Sequence, residues 1–366
     1  MRLRILFVGG GSIGHVAPCV SVWRAAQASH PDAAAHFICT NQDEEAEFLR
    51  KEKVAFTPLA DRRMSFLRML KAIWQSRALM KQWKPDVVFG KGGLLSVPVT
   101  LAARSLGLPV VLHESDAVSG RANKLIARWA HTVCLGFPQH KRDGTPLTGG
   151  TMRLVSGYPL SNAQCVFTGN PVRPSIGNGA RGRGMAITGF SGKRPVLIVL
   201  GGSQGAQAIN DAVTKHLEAL LEHADIIHLT GRGKGGIAGR PGYWAREFVQ
   251  DQLADLYALS DFALSRAGAG TLSELARCGI PALLVPLRGL AQDHQLCNAL
   301  AACRTGGCVM LHQTELDRTL VAAVTSLAQD RDRRATMGKK AFTLAMPDAA
   351  ERIAAAIAEA AKKMTR

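Results

Sequence analysis

The chain opens with a short apolar run that leads into a cluster of glycines and a histidine. Gly9, Gly11 and Gly14 spell G-x-G-x-x-G, the pattern of loops that bind dinucleotides. A nicotinamide-binding loop also needs an acid where the second strand ends, and the first acid after that strand, Asp43, comes too late. His15 instead places an imidazole at the first turn of a helix, whose dipole disfavours the imidazolium. The pattern indicates a neutral general base, or a histidine that only caps or packs.

A second glycine turn occurs in the stretch LGGSQGAQAIND, again between an apolar run and a helix. Small residues let backbone amides approach an anion, and the helix dipole assists. Ser203 offers a hydroxyl that can donate to a phosphate. This pattern indicates a phosphate-binding turn, and an ordinary strand-to-helix connection is the alternative.

A third turn lies in DFALSRAGAGTLSELARCGIPALLVPL, after a strand that ends at Ser265. Thr271 and Glu274 have the spacing of a capping box, with Glu274 at the third helical position. In the functional interpretation, the amides of Gly270 and Thr271 hold a phosphate while Glu274 accepts hydrogen bonds from ribose hydroxyls. Capping of the helix and binding of a ligand can both occur, through neighbouring atoms.

Two further polar groups follow turns or strand ends. Arg173, in TGNPVR, is either a surface arginine or a clamp for a pyrophosphate, whose oxygens pair well with guanidinium. The run DHQLCN follows the apolar stretch PALLVPL, and its amides suit sugar hydroxyls. A polar helix start is the alternative for this run.

The elements that position these residues alternate between strands and helices, which predicts parallel, doubly wound α/β sheets. The predicted strands are Leu3–Val8, His36–Cys39, Val87–Phe89, Val110–His113, Thr132–Leu135, Pro195–Leu200, Ile226–Leu229, Phe262–Leu264 and Ala282–Val285. The predicted helices include Ala17–Ala28, Arg121–Ala130, Gln207–Leu221, Thr271–Cys278 and Pro347–Lys363, whereas Arg142–Gly157 and Ile176–Arg194 are predicted as loops.

Each half of the chain starts with a strand, a glycine turn and a helix, which predicts two Rossmann-like domains. The Asn170-Pro171 break favours a boundary here. We expect residues 1–168 and 169–346 to form the two domains and 347–366 to form a C-terminal helix. Because ligands bind outside the carboxyl ends of parallel strands, the domains are expected to face each other across a cleft with a glycine turn on each wall.

Composition narrows the class of protein. The 366 residues predict more than one domain, and no segment has the length and apolarity of a membrane span or of a signal peptide. The eight cysteines form no C-x-x-C pair, so a zinc knuckle or thioredoxin-type site is not indicated, and free thiols in a reducing cytoplasm are expected. The net charge of +17 favours an anionic partner. Nucleic acid is not favoured, because no stacking-aromatic cluster or known nucleic-acid module occurs.

The segment from Arg62 to Lys84 contains seven basic residues and no acidic one. Helical spacing allows Phe66, Leu70 and Ile73 to pack inward as core. Trp74 and Trp83, which lie among the lysines and arginines, are more typical of a surface that meets anionic lipid.

Taken together, GGSIGH, KGGLLSVP, HESDAVSGRANK, TGNPVR, LGGSQGA, SRAGAGTLSELA and DHQLCNA occur in an order that resembles one family over nearly the whole chain. This family is the bacterial cell-wall glycosyltransferases that make lipid II from lipid I. The resemblance implies the GT-B fold, with two Rossmann-like domains. It also implies inverting transfer of N-acetylglucosamine from UDP-N-acetylglucosamine to the 4-hydroxyl of the N-acetylmuramyl residue of undecaprenyl-pyrophosphoryl-N-acetylmuramyl-pentapeptide. A tail helix that crosses back to the first domain is also part of the family's fold.

The resemblance assigns roles to individual residues. The acceptor side, in the first domain, comprises Gly11, Ser12, Ile13, Gly14, His15 and Asp116, with His15 as the base and Asp116 as its orienter or the alternative base. The donor side, in the second domain, comprises Arg173, Ser203, Phe248, Val249, Gly270, Thr271, Glu274, His294, Gln295 and Asn298. Among these, Phe248 and Val249 match the uracil segment, Glu274 matches the ribose-binding glutamate, and His294, Gln295 and Asn298 match the sugar-contacting run. The family's first turn is commonly G-G-T-G-G-H, and Ile13 replaces a glycine, which restricts this turn.

Fixed hydrogen-bond donors at the leaving pyrophosphate can substitute for a metal, so no obligatory metal and no other cofactor are expected. Asp330-Arg331-Asp332 spells D-x-D, a metal motif of another glycosyltransferase fold, but its charged surroundings favour a solvated face. The expected location is the cytoplasmic face of the bacterial inner membrane, as a peripheral protein. The alternatives are another GT-B enzyme that uses a UDP-sugar, such as a UDP-N-acetylglucosamine 2-epimerase or a glycolipid glycosyltransferase.

Overall fold

A computed structural model describes residues 2–11, 13–60, 65–137, 163–202, 205–235, 239–289 and 293–362. Ser12, Ser203 and the predicted loop Arg142–Gly157 lie outside these ranges. The chain forms two compact units. The first runs from the N-terminus to Arg173 and takes up the chain again from Pro347, and the second spans Pro174–Met346. Within the described residues, no helix combines the length and the apolarity that crossing a bilayer requires.

Each unit is built on a parallel sheet, which confirms the prediction of two doubly wound α/β sheets. The sheet order is β3-β2-β1-β4-β5-β6-β7 in the first unit and β10-β9-β8-β11-β12-β13 in the second. The strands are β1 (Arg4–Val8), β2 (Ala34–Thr40), β3 (Phe56–Ala60), β4 (Val87–Gly90), β5 (Val110–Glu114), β6 (Thr132–Leu135), β7 (Gln164–Phe167), β8 (Val196–Leu200), β9 (Asp225–Leu229), β10 (Tyr243–Arg246), β11 (Phe262–Ser265), β12 (Ala282–Leu284) and β13 (Cys308–Met310).

Helices connect the strands within each unit. They are α1 (Ile13–Ser29), α2 (Asp43–Lys51), α3 (Phe66–Trp83), α4 (Ser96–Ser105), α5 (Arg121–Ile126), α6 (Arg181–Thr188), α7 (Gln207–Lys215), α8 (Leu217–Leu221), α9 (Leu253–Leu259), α10 (Ala269–Arg277), α11 (His294–Arg304), α12 (Leu316–Gln329), α13 (Arg331–Phe342) and α14 (Ala349–Lys362). Two predictions need correction. The Ile176–Arg194 segment contains α6, and Gln207–Leu221 is divided into α7 and α8 at His216.

The first unit is covered on both faces of its sheet. Successive side chains of a strand point to opposite faces, so Ile5 and Phe7 join one core while Leu6 and Val8 join the other. Helix α14 belongs to the first of these cores, where Ile353 and Ile357 are fully buried against residues of α1. The C-terminal helix therefore packs on the same unit as the N-terminal strand.

The segment Thr168–Asn170 belongs to the first unit, although the predicted boundary lies between residues 168 and 169. The Thr168 amide donates to the Leu135 carbonyl at 3.0 Å. The side-chain amide of Asn170 donates to the Ser115 carbonyl, also at 3.0 Å. These hydrogen bonds attach the turn to the ends of β5 and β6, and the second unit begins only at Pro174.

Candidate active site

The carboxyl ends of three strands meet in the first unit. Strand β4 lies between β1 and β5, and Gly90 at its end pairs with Val8 and with Leu112. The loops that follow these strands carry the glycine turn, the Lys91–Gly93 loop and the Asp116 loop. The sheet thus brings together polar residues that are about a hundred positions apart in the sequence, as expected for a parallel sheet.

The glycine turn runs close to its own helix. A side chain at Gly9 would place its Cβ 2.7 Å from the His15 carbonyl oxygen, so only glycine fits there. Gly11 has a φ of +96°, and a Cβ at this position would meet no atom of the described part of the chain within 4 Å. Ile13 is the first residue of α1 and packs on the core. The positive φ that favours glycine is therefore found at Gly11. Ile13 was predicted to restrict the turn, but it already has the helical conformation of α1 and does not restrict it.

His15 lies in the first turn of α1 and is half-buried. Burial lowers the pKa of this imidazole, the charge of Lys91 lowers it further, and Asp116 and a hydrogen bond with the Gly10 backbone act in the opposite direction. Because that hydrogen bond raises the pKa, the ring donates it to the Gly10 carbonyl. The imidazole is therefore neutral at pH 7, and its other ring nitrogen can accept a proton.

Asp116 is held by a buried carboxylate two residues earlier. The Asp116 amide donates to Glu114 Oε1 at 3.2 Å, and the Gly120 amide donates to Oε2 at 2.9 Å. The side-chain amide of Asn123 adds a bond to Oε2 at 3.0 Å. Burial and then the charge of Asp116 raise the pKa of Glu114, while these three hydrogen bonds lower it. Glu114 organises the loop so that Asp116 is presented next to His15.

Sequence reasoning named Asp116 but missed the buried polar residues behind it. Lys91, His113, Glu114 and Asn123 are each less than 5% exposed. A signal was present, because a histidine and a glutamate end the otherwise apolar strand VVLHE. Their function depends on burial and on partners elsewhere in the chain, which the sequence pattern does not show.

In the second unit, α10 begins at Ala269, and its N-cap is Gly268, without a side-chain cap. Thr271 is therefore the third helical residue and Glu274 lies in the middle of the helix, so the capping-box interpretation is wrong. Glu274 instead accepts a hydrogen bond from the buried Tyr257 hydroxyl at 2.9 Å. Among the described residues of this unit, no atom lies within 4 Å of a Cβ placed at Gly268 or Gly270. The first amides of a helix lack intrahelical acceptors and suit an anion here.

The predicted uracil segment follows β10. Phe248 is 36% exposed, and the Arg232 guanidinium lies over its ring at 4.8 Å from the centroid. Glu247 accepts hydrogen bonds from the amides of Gly233 and Gly235 at 2.9 and 3.2 Å. This carboxylate fixes the loop after β9 beside Phe248, and half-buried Val249 continues the segment.

The predicted sugar-contacting run forms the start of α11. His294 and Gln295 are half-buried, and Gln295 Oε1 accepts from the Leu287 amide at 3.0 Å. Asn298 is fully buried, and its side-chain amide donates to the Ala267 carbonyl at 3.1 Å. This hydrogen bond attaches Asn298 to the loop that precedes α10. Contact between Asn298 and a sugar stays a prediction.

Of the two other predicted donor residues, the structure describes Arg173 but not Ser203. Arg173 is half-buried at the end of the first unit, directly after the anchored Thr168–Asn170 turn. Ser203 lies outside the described residues, as does Ser12 on the acceptor side. The structure thus gathers Gly11, Ile13, His15 and Asp116 in the first unit, and Gly270, Thr271 and Glu274 in the second.

Comparison with known proteins defines the class to which these two units belong. The N-terminal domain of glycosyltransferase family 28 matches residues 5–135, and the C-terminal domain of this family matches residues 196–353. The chain is also similar to the crystal structure of MurG from Acinetobacter baumannii, with a TM-score of 0.72, 24% identity, and 98% of this chain and 100% of that chain covered. The protein is a family 28 glycosyltransferase with the GT-B fold.

Sequence relatives define the family more narrowly. The UDP-N-acetylglucosamine--N-acetylmuramyl-(pentapeptide) pyrophosphoryl-undecaprenol N-acetylglucosamine transferase of Lachnospira eligens is 33% identical over 342 residues, which cover 90% of this chain and 92% of the relative. The enzyme of the same name from Geobacillus kaustophilus is 34% identical over 348 residues, covering 91% and 92%. The chain belongs to this family of N-acetylglucosaminyltransferases, as its motifs predict.

Proposed function

We propose that this protein transfers N-acetylglucosamine from UDP-N-acetylglucosamine to lipid I and thereby forms lipid II. The observation that carries the proposal is the match to transferases of this activity over about nine-tenths of the chain. The residues by which the chain resembles that family also lie where chemistry is expected, after the carboxyl ends of parallel strands in both units.

In the proposed reaction, the 4-hydroxyl of the N-acetylmuramyl residue attacks the anomeric carbon of the donor sugar. The bond from that carbon to the UDP oxygen breaks, UDP leaves with the electron pair, and the configuration inverts. The hydroxyl proton passes to a base. The pyrophosphate gains negative charge in the transition state, so fixed donors around it accelerate the reaction.

His15 is the proposed base. The Gly10 carbonyl fixes one ring nitrogen as a donor, and the lowered pKa keeps the ring neutral at pH 7, so the other nitrogen can take the proton. Asp116 lies close enough to raise the pKa of His15 and so favours the imidazolium as it forms. In this assignment the Gly10 carbonyl orients the ring, the charge of Asp116 stabilises the imidazolium, and Gly11, Ser12, Ile13 and Gly14 are assigned to the acceptor side.

The second unit is the proposed donor site. The helix end at Gly270 and Thr271 meets the diphosphate, and Arg173 and Ser203 supply further phosphate donors. Glu274, held by Tyr257, accepts from the ribose hydroxyls. Phe248 and Val249 are the proposed contacts of the uracil, and His294, Gln295 and Asn298 are the proposed contacts of the sugar. No metal or other cofactor is part of this proposal.

The exposed face of α3 is the proposed membrane surface. Phe66 and Leu67 are each 75% exposed and Trp74 is 71% exposed. Basic residues interleave with these apolar side chains, and α3 contains no acidic residue. Apolar groups amid cations suit the boundary between anionic headgroups and acyl chains. This surface would keep the first unit at the cytoplasmic face of the inner membrane, where a lipid-linked acceptor is presented.

Two sequence-based expectations for α3 change. Phe66 and Leu70, expected as possible core, are exposed, and only Ile73 of that group packs on the core. Trp83, expected at the lipid surface, packs on the unit itself. Its ring lies 4.8 Å from the Arg4 guanidinium and 5.7 Å from the His36 ring. The lipid-facing group therefore comprises Phe66, Leu67, Leu70 and Trp74.

Incubation with UDP-N-acetylglucosamine labelled in the sugar and a lipid I analogue tests the proposed function. We expect label in a disaccharide-linked lipid and release of one UDP for each sugar transferred. Conversion of the donor without an acceptor would indicate a 2-epimerase or a hydrolase instead. Transfer to a different glycolipid, with none to the lipid I analogue, would indicate another glycolipid glycosyltransferase.

A further inference from the structure

Lys91 carries a buried positive charge beside the proposed base. It directly follows β4, its amide donates to the Val8 carbonyl at 3.0 Å, and the residue is 4% exposed. Burial of an ammonium group is costly unless hydrogen bonds and opposite charges compensate. The contacts of this side chain therefore identify the groups that compensate for the burial of its charge.

The Lys91 ammonium donates to two groups at the end of β5. Its Nζ lies 2.9 Å from His113 Nδ1, and it also donates to Ser115 Oγ. His113 Nε2 lies 3.0 Å from the Gly169 carbonyl oxygen. Because a carbonyl only accepts, Nε2 carries the proton and Nδ1 presents its lone pair to Lys91. The hydrogen bonds form a directed chain from Lys91 through His113 to Gly169.

This chain reaches two segments of the proposed site. Ser115 immediately precedes Asp116, and its carbonyl accepts from the Asn170 side chain at 3.0 Å. Gly169 belongs to the same turn as Asn170, and Arg173 follows within the first unit. Lys91 thus joins the loop that carries Asp116 to the segment that carries a candidate phosphate ligand, Arg173.

The Lys91 loop also contacts the elements on either side of it. A Cβ at Gly92 would lie 3.0 Å from Asn123 Nδ2, and one at Gly93 would lie 3.5 Å from the Gly10 carbonyl oxygen. Gly10 is the backbone partner of His15. The loop therefore fits between the glycine turn and α5, and it leaves Lys91 little freedom to move.

We propose that Lys91 is a positioning residue for glycosyl transfer, acting through His113 and Ser115 on the Asp116 loop and on the turn before Arg173. This inference rests on the proposed function. Lys91 does not contact a substrate in this assignment. Its loss would displace groups that do, and displacement of reacting groups by about 1 Å can cost about 100-fold in rate.

The charges around Lys91 are consistent with this role. Cys19 and His15 face it from α1, His113 faces it from β5, and Glu114 and Asp116 face it from the end of β5 and the loop beyond. Burial lowers the pKa of Lys91 to about 8, against the effect of Cys19, Asp116 and Glu114. Burial also raises the pKa of Cys19 to about 12, so this thiol is neutral and the carboxylates are the counterions. Lys91 is charged at pH 7 and loses its proton when the pH rises past about 8.

The kinetic test compares Lys91→Met, Lys91→Arg and the exposed control Lys215→Met. We expect Lys91→Met to lower kcat about 10- to 100-fold and to raise KM for UDP-N-acetylglucosamine by a smaller factor, because the turn before Arg173 is also displaced. The alkaline decline of kcat in the wild type, near pH 8, should be absent in Lys91→Met and displaced upward in Lys91→Arg, since arginine stays protonated. Wild-type kcat with an unchanged alkaline decline in Lys91→Met would contradict the proposal.

A double-mutant cycle with His113→Gln tests whether Lys91 acts through His113. We expect the double variant to lose no more activity than the worse single variant, and multiplied losses would contradict this route. Nitrogen NMR of the wild-type His113 ring provides a readout without activity or substitution. The Nδ1 signal should shift as Lys91 titrates near pH 8, and a constant signal would overturn the assignment. A folded wild type that makes no disaccharide would instead contradict the proposed function itself.

Discussion

At the scale of single residues, some functional candidates could be predicted because they lie beside a glycine turn. Others could not be predicted, because their role depends on burial. His15 and Glu274 follow glycine turns, so their place on the helix after a strand could be predicted. The roles of His113 and Asn298 depend on carbonyl partners 56 and 31 residues away. Such partners are fixed by the packing of the sheet, and no local pattern encodes them.

His15→Ala should lower kcat about 100- to 10,000-fold, the usual contribution of a general base, while UDP binding stays unchanged. The wild-type kcat should also fall as the pH drops through the lowered pKa of His15, below the ordinary value of about 6.5, because the protonated ring no longer accepts. Steady-state kinetics and UDP titration measure both effects. The exposed His312→Ala variant is the control, and a His15→Ala enzyme with full kcat would rule out the assignment.

Glu274→Ala should chiefly weaken the donor. Hydrogen bonds to a charged carboxylate are worth about 1.5–3 kcal/mol, which corresponds to about 10- to 100-fold in UDP affinity. Tyr257→Phe removes one donor to this carboxylate and should produce a smaller loss in the same direction. Calorimetric titration with UDP measures the affinity, with exposed Glu222→Ala as the control. Unchanged UDP affinity in Glu274→Ala would show that this residue does not hold the ribose.

At the scale of elements, the central strands could be predicted and the edge strands could not. Thr132–Leu135 was predicted with its observed bounds, because a β-branched threonine followed by three apolar residues is typical of a strand buried on both faces. The missed strands β3, β7, β10 and β13 lie at or near the sheet ends. β3 contains Pro58, and β7 is half-exposed, so neither shows the pattern of a buried strand. Helix α6 was missed because RGRGMAIT contains two glycines.

At the scale of elements, we predict that the exposed face of α3 binds anionic lipid. Neutralising Arg68, Lys71 and Lys81 to glutamine should weaken binding to anionic vesicles about fivefold per charge, since each basic group near the surface is worth about 1 kcal/mol. Sedimentation with vesicles of increasing anionic lipid content measures this, and added salt should reduce the difference.

A charge-matched control distinguishes a local surface from the overall charge. Neutralising Lys193, Arg318 and Lys339, which are exposed in the second unit, removes the same charge. We expect this variant to bind vesicles like the wild type. Equal losses in both variants would mean that the net charge of +17, and not α3, attracts the protein to lipid.

At the scale of the whole molecule, strand and helix alternation predicted two doubly wound sheets, and the ordered motifs predicted the family. Both are confirmed, by the two parallel sheets and by the relatives. The predicted cleft stays a prediction, because sequence patterns describe each domain and not its placement against the other. The charge of the whole chain favoured an anionic partner but did not select one.

The absence of an obligatory metal is a further prediction at this scale. Activity should persist in excess EDTA, because the proposed donors to the pyrophosphate are amides, hydroxyls and a guanidinium. The Asp330 carboxylate of the D-x-D sequence caps α13, accepting from the Arg333 amide at 2.8 Å. Complete loss of transfer in EDTA, restored by manganese, would contradict this prediction.

The central claim is that the second unit binds the UDP-sugar donor and the first unit binds the acceptor. A crystal structure with bound UDP tests this claim most directly. The account predicts the diphosphate at the start of α10, the ribose on Glu274 and the uracil beside Phe248. A nucleotide bound at the Gly9–Gly14 turn, or no binding at millimolar UDP, would contradict it.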